Sequence, residues 1–253
     1  MGVDSGLPDF RGTEGFWRAY PPYRPLGLAF EELADPAHFA DDPGLAWGFY
    51  GHRLGLYRRT VPHAGFAVLR RWAADRPARV FTSNVDGQFQ RAGFDPAVVT
   101  ECHGSIHHLQ CVAGCADAIW PAEDEVRIDP ESMRAVPPLP SCPRCGALAR
   151  PNILMFGDWS WLPGRTEAIA AEHTAWLREL RTRGDRLVVV ELGAGTAVPT
   201  VRRHSELASA GSGALVRINP REPRVRHGRG VPLPLTAAIA LAELDARLVG
   251  SPE

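Results

Sequence analysis

Four cysteines in two close pairs carry the clearest chemistry in this chain. Cys111 and Cys115 are spaced C-x3-C, and Cys142 and Cys145 are spaced C-x2-C. Two such knuckles supply the four thiolates of a tetrahedral zinc site, and a closed shell of sulfur leaves no open position for substrate. Zinc bound there is structural, its binding energy serving to fold a segment too short to build its own core. Unrelated buried cysteines, or two reducible disulfides, are the other readings of the same spacing. Cys102 belongs to neither pair and reads as a small buried residue.

A second group of residues suits acid–base and polar recognition. His103 stands in "ECHGSIHH" beside Gly104, whose missing Cβ lets a ligand approach the backbone. An imidazole at a strand end suits a general base, and a purely structural histidine is the alternative. His107 or His108 could complete an H-x3-H metal pair with it, but no carboxylate lies close enough in sequence to support that. In "TSNVDG", Asn84 and Asp86 are two apart, so alternation puts them on one face, as gripping a ribose or an amide requires. The same residue types also make ordinary capped turns. "ELGAGT" places Gly193 and Gly195 where backbone amides could meet a phosphate.

These residues need strands to position them. Val80, Phe81 and Thr82 form a short apolar run ending in the polar turn, and "PAVVTECHGS" repeats that design before His103. Leu187 to Leu192 is the strongest buried-strand signal, and Leu215 to Ile218 ends at Asn219. Residues 30–72 are largely helical in pattern, with Leu45, Phe49, His52 and Leu56 near one helix face. Strands alternating with helices predict an α/β fold with a doubly wound parallel sheet, which binds ligands at the carboxyl ends of its strands. Asn84, Asp86, His103, Gly193, Gly195 and Asn219 all fall at such ends. The expected organisation is a Rossmann-type domain of residues 1–109 and 150–253, with a helical insertion at about 30–72, and a small zinc-binding module at 110–149.

Composition narrows the function. A net charge of −1 over 253 residues offers no electrostatic footprint for nucleic acid or an anionic membrane. No apolar run approaches the length of a membrane span and no signal-peptide core opens the chain, so a cytoplasmic location is expected.

Together these segments resemble the sirtuin family, the NAD-dependent protein lysine deacylases. "SGLPDFRG" looks like the family's cofactor-loop signature, "TSNVDGQFQRAG" its nicotinamide-pocket signature and "CHGS" its catalytic-histidine signature. The cysteine knuckles, "ARPNILMFGDW", "ELGAGT" and "RIN" follow in the family's order. The resemblance implies a Rossmann-type domain with a smaller zinc-bearing module, and a reaction in which the acyl-lysine oxygen attacks the nicotinamide ribose of NAD. His103 would then act as general base on a ribose hydroxyl, and the products would be nicotinamide, free lysine and acyl-ADP-ribose. Ser83, Asn84 and Asp86 would hold the nicotinamide end, and Asp9, Phe10 and Arg11 would shape the loop over the cofactor. Gly193 and Gly195 would meet the pyrophosphate or adenosine ribose, and Asn219 the adenosine half. The acylated peptide would add as a strand beside Phe156 and Gly157.

"WGFYGHR" places Tyr50 and Arg53 on one helix face. This resembles the Tyr-x-x-Arg signature of sirtuins that remove acidic acyl groups such as succinyl, since a guanidinium and a phenol can take a carboxylate. A packed tyrosine beside an exposed arginine is the plainer reading. An ADP-ribosyltransferase or NAD glycohydrolase, and a catalytically silent NAD or ADP-ribose module, are the competing functions. His103 speaks against a pure transferase, because only deacylation needs the ribose-hydroxyl base.

The chain departs from the family pattern in places. The family signature normally begins with a strand and a Gly-Ala-Gly loop, where this sequence has only "MGVD". The expectation is that roughly 20–30 residues lie upstream, from the strand and loop lengths usual in such units; a genuine truncation with weakened NAD binding is the alternative. Ser83 stands where the family usually has Gln, Phe89 where His is common, Asp158 for Glu and Thr13 for a small Ala. These changes suggest a divergent bacterial-type branch.

Overall fold

A computed structural model describes residues 1–8, 20–211, 213–226 and 229–249. The helical stretch is four helices: α1 (Phe30–Leu33), α2 (His38–Asp41), α3 (Pro43–Arg59) and α4 (Ala64–Ala74). α3 starts sharply because Pro43 occupies its first turn and the Asp42 carboxylate accepts from the Leu45 N–H at 3.1 Å. Its burial is wider than one stripe. Leu45 and Phe49 are buried as expected, but so are Trp47, Tyr50, Arg53, Leu54 and Tyr57, whereas His52 and Leu56 are only half-buried. The helix is enclosed on several sides: Phe39 of α2 stacks on Tyr50, and the Trp47 indole donates to the Ala149 carbonyl at 2.9 Å.

The remaining elements are β1 (Val80–Thr82), α5 (Gln88–Arg91), β2 (Val99–Glu101), β3 (Gly104–Cys111), β4 (Ile119–Pro121), β5 (Ala149–Ile153), α6 (Gly164–Arg183), β6 (Val188–Leu192), α7 (Thr200–Ser209), β7 (Ala214–Ile218), β8 (Gly230–Leu233) and α8 (Ala237–Val249). β1 pairs with β2 in parallel, and β6, β7 and β8 form a second parallel block in that order. A third, antiparallel sheet has the order β4-β3-β5. All four runs expected as strands are therefore strands. The antiparallel sheet has no counterpart in the expectation, because its strands carry mixed polar residues that do not alternate cleanly.

Both parallel blocks are flanked by helices. α6 packs on β2, where Thr166 Oγ1 donates to the Glu101 carbonyl, and α4 meets α8, where the Trp72 indole donates to Asp245 at 3.0 Å. Between the facing edges of β1 and β6 lies a cavity of about 1100 Å³, reached by Val80 to Thr82, Val188 to Leu192, and side chains of α4, α6 and α7. The blocks are not hydrogen-bonded to each other among the described residues. Val188 is accordingly 61% exposed, unusual for a valine in a parallel strand. No helix among the described residues is long and apolar enough to cross a membrane.

Candidate functional site

Two loops at the carboxyl ends of parallel strands meet on the cavity. Ser83, Asn84 and Asp86 follow β1, Gly193 and Gly195 follow β6, and all five line it. The turn after β1 is built locally: the Asn84 N–H donates to Thr82 Oγ1 at 3.1 Å, and the Gln88 N–H donates to the Asp86 carboxylate at 3.0 Å. Asn84 is exposed whereas Asp86 is 7% exposed. Burial pushes the Asp86 carboxyl above its ordinary value; the Gln88 N–H and Arg53 pull the other way. Asn219 does not line the cavity. Its side chain donates to the Ala194 carbonyl at 3.0 Å and accepts from the Arg221 and Glu222 N–H groups, so it fastens the β6 loop to the β7 loop.

His103 is half-buried in the turn between β2 and β3. Its carbonyl accepts from the Leu154 N–H at 3.0 Å, which ties this turn to the segment carrying Phe156 and Gly157. Gly104 has a different reason to be glycine from the expected ligand approach. Its φ is +76°, and a Cβ there would run into the Asn152 carbonyl of β5. The close approach is made by the chain itself. Phe156 is 44% exposed beside Gly157, and its N–H donates to the Ala34 carbonyl at 3.1 Å. Asp158 faces inward, in a buried pair with Arg150.

Tyr50 and Arg53 are both buried. The Arg53 guanidinium lies over the rings of Phe30, Phe49, Tyr50 and Tyr57, 5.0 to 5.7 Å from their centroids. The Tyr57 hydroxyl accepts from Arg53 Nε at 3.1 Å and from Nη2 at 2.9 Å. Sequence reasoning missed Tyr57, although it stands four residues after Arg53, where helical spacing brings side chains together. It considered His107 only as a metal ligand, whereas its ring nitrogen meets the Asp86 carbonyl at 3.0 Å. Asp9, Phe10, Arg11 and Thr13 lie outside the described residues.

The four paired cysteines converge. Their sulfur atoms all lie within 4.8 Å of one another, with Cys111 to Cys145 at 3.7 Å and Cys115 to Cys142 at 3.6 Å. A tetrahedron with zinc–sulfur bonds of about 2.3 Å has edges of about 3.8 Å, so the set fits zinc. The sulfurs are too far apart for disulfides, and all five cysteines are free. Backbone N–H groups lower two of the thiols, the Cys145 N–H that of Cys142 and the Cys115 N–H that of Cys111, while the neighbouring sulfurs push Cys115 up.

The fold and the two sites define a Rossmann-like α/β protein with a zinc-fitting cysteine module. A family model described as the Sir2 family matches residues 1–175, and the chain belongs to that family, the sirtuins. NAD-dependent protein deacylase 1 of Pseudomonas aeruginosa is 33% identical over 252 residues, spanning 98% of this chain and 90% of that protein. An NAD-dependent protein deacylase of Mycolicibacterium paratuberculosis is 30% identical over 249 residues, spanning 98% and 94%. A solved Sir2 homologue in complex with NAD superposes with a TM-score of 0.69 at 26% identity, over 98% of this chain and 85% of that one.

Proposed function

We propose that this chain removes acyl groups from lysines of proteins or peptides with NAD as co-substrate, releasing nicotinamide and acyl-ADP-ribose. NAD supplies an electrophilic ribose carbon when nicotinamide departs, and the acyl oxygen takes its place. The observation that carries the reading is the convergence of the Ser83–Asp86 turn and the Gly193–Gly195 loop on one cavity. The sirtuin membership of the chain and the names of its relatives support the same chemistry.

Each residue then has a task. Ser83, Asn84 and Asp86 hold the nicotinamide end, and Asp9, Phe10 and Arg11, outside the described residues, are assigned to the cofactor loop by the sirtuin resemblance. Amides near Gly193 and Gly195 meet the pyrophosphate or adenosine ribose, and Asn219 serves the adenosine half by fixing the loops around it. His103 takes the proton from a ribose hydroxyl. The acylated segment lies along Phe156 and Gly157, main chain to main chain. Cys111, Cys115, Cys142 and Cys145 hold a structural zinc in a module of residues 110–149, apart from the reaction.

The acyl groups removed include acidic ones such as succinyl, with Tyr50 and Arg53 as the residues that would take the carboxylate. The Arg53 guanidinium, 7% exposed among aromatic faces and donating to the Tyr57 hydroxyl, has the charge and planar donor geometry that recognise a carboxylate. The test is incubation with NAD and matched acetyl-lysine and succinyl-lysine peptides, with mass spectrometry of the products. Acyl-ADP-ribose is the expected result, and the preferred peptide decides what Tyr50 and Arg53 are for. Nicotinamide release without an acyl product would mean transferase or glycohydrolase chemistry instead.

A further inference from the structure

The first residues of β3 are stitched onto the turn that carries Asn84 and Asp86. The Ile106 N–H donates to the Val85 carbonyl at 3.1 Å, and one residue later His107 Nε2 lies 3.0 Å from the Asp86 carbonyl oxygen. A carbonyl can only accept, so Nε2 must carry the hydrogen and the tautomer is fixed. A further proton would go to Nδ1, leaving this bond in place. The ring fits because residue 87 is glycine: Gly87 has φ +68°, and a Cβ there would lie 2.7 Å from His107 Cδ2 and 2.8 Å from Nε2. The backbone of His107 is anchored from the far side, its carbonyl accepting from the Ala122 N–H at 2.9 Å next to β4.

Asp86 is thereby gripped at both ends. Its carboxylate accepts from the Gln88 N–H and its carbonyl accepts from the His107 ring. Two bonds on one residue leave little freedom for the direction in which the turn presents its side chains to the cavity. We propose that His107 is a positioning residue for the cofactor turn, setting the aim of Asn84 and Asp86 through the Asp86–Gly87 backbone without touching NAD itself. This rests on the reading of Ser83 to Asp86 as the nicotinamide-holding turn.

The test compares His107→Leu, which fills space but donates nothing, with His107→Gln, whose amide can donate over a similar reach. NAD affinity is measured by calorimetry without peptide, KM for NAD and for acyl-peptide by steady-state kinetics, and folding by thermal melts. The expected result is a rise of about tenfold in both Kd and KM for NAD in the leucine variant. The peptide KM should stay within about twofold, and the glutamine variant should recover most of the loss. A folded leucine variant with unchanged NAD affinity overturns the proposal. So does a parallel rise in both KM values that glutamine fails to rescue, since that is the mark of a merely structural side chain. If the unmodified protein binds NAD but deacylates nothing, the functional reading fails while the affinity comparison still decides the role of His107. If it does not bind NAD, both fall.

Discussion

Arg150 and Asp158 face each other in a two-pronged ion pair at 2.8 and 2.9 Å, and their side chains are 2% and 0% exposed. Asp158 also accepts from the Met155 and Ser160 N–H groups, so one carboxylate braces the whole loop around Phe156 and Gly157. Removing one partner strands a buried charge. Asp158→Asn should therefore cost about 3–5 kcal/mol of folding stability. Urea unfolding checks this, and a loss below about 1 kcal/mol would mean that the guanidinium finds other partners.

Zinc should be found at one ion per chain in protein purified without chelators. Stripping it, or replacing Cys142 with Ser, should lower the melting temperature and loosen the segment between Cys111 and Cys145, because the metal does the work of a core there. Elemental analysis paired with thermal melts reads both. A protein without zinc that melts at the same temperature would contradict the structural role.

The strands around the cavity were legible because each ends in a turn with its own chemistry: Thr82 before Asn84, Leu192 before Gly193, Ile218 before Asn219. The cysteine spacing was legible for the same local reason. Contacts that depend on distant segments were not. Arg217, inside the run Leu215 to Ile218, is buried against Glu191 of the neighbouring strand at 2.6 and 3.0 Å. Gly104 looks like an opening for a ligand, and the Asn152 carbonyl fills that space. His107 looked at most like a metal ligand, because nothing in its own segment announces the Asp86 carbonyl 21 residues earlier.

Substrate choice should follow the aromatic cage. Arg53→Met should reduce succinyl-lysine turnover roughly 10–100-fold, the worth of a hydrogen bond to a charged group, and leave acetyl-lysine turnover within a fewfold. Tyr57→Phe should act in the same direction but less strongly, since it removes one acceptor of the guanidinium and keeps its charge. Equal losses on both peptides would assign Arg53 to packing instead.

Acid should destabilise the protein partly through His173. Burial holds its imidazole at about 4, below the ordinary 6.5, beside His204 and within reach of the Thr100 hydroxyl. As pH falls through about 6.5 the unfolded chain takes up the proton first, so stability is lost down to about pH 4 and no further below it. Melting temperatures at about pH 7 and pH 4.5 should therefore drop more for the unmodified protein than for His173→Phe. Equal drops would remove His173 from the account.

The central claim is that strand-end loops and His103 together run NAD-dependent deacylation. The most direct measurement is product stoichiometry: nicotinamide, freed lysine peptide and acyl-ADP-ribose quantified in one reaction, for the unmodified protein and for His103→Ala. The account predicts equal amounts of all three, lost together in the alanine variant. Nicotinamide formed without freed lysine, or deacylation that persists without His103, would contradict it.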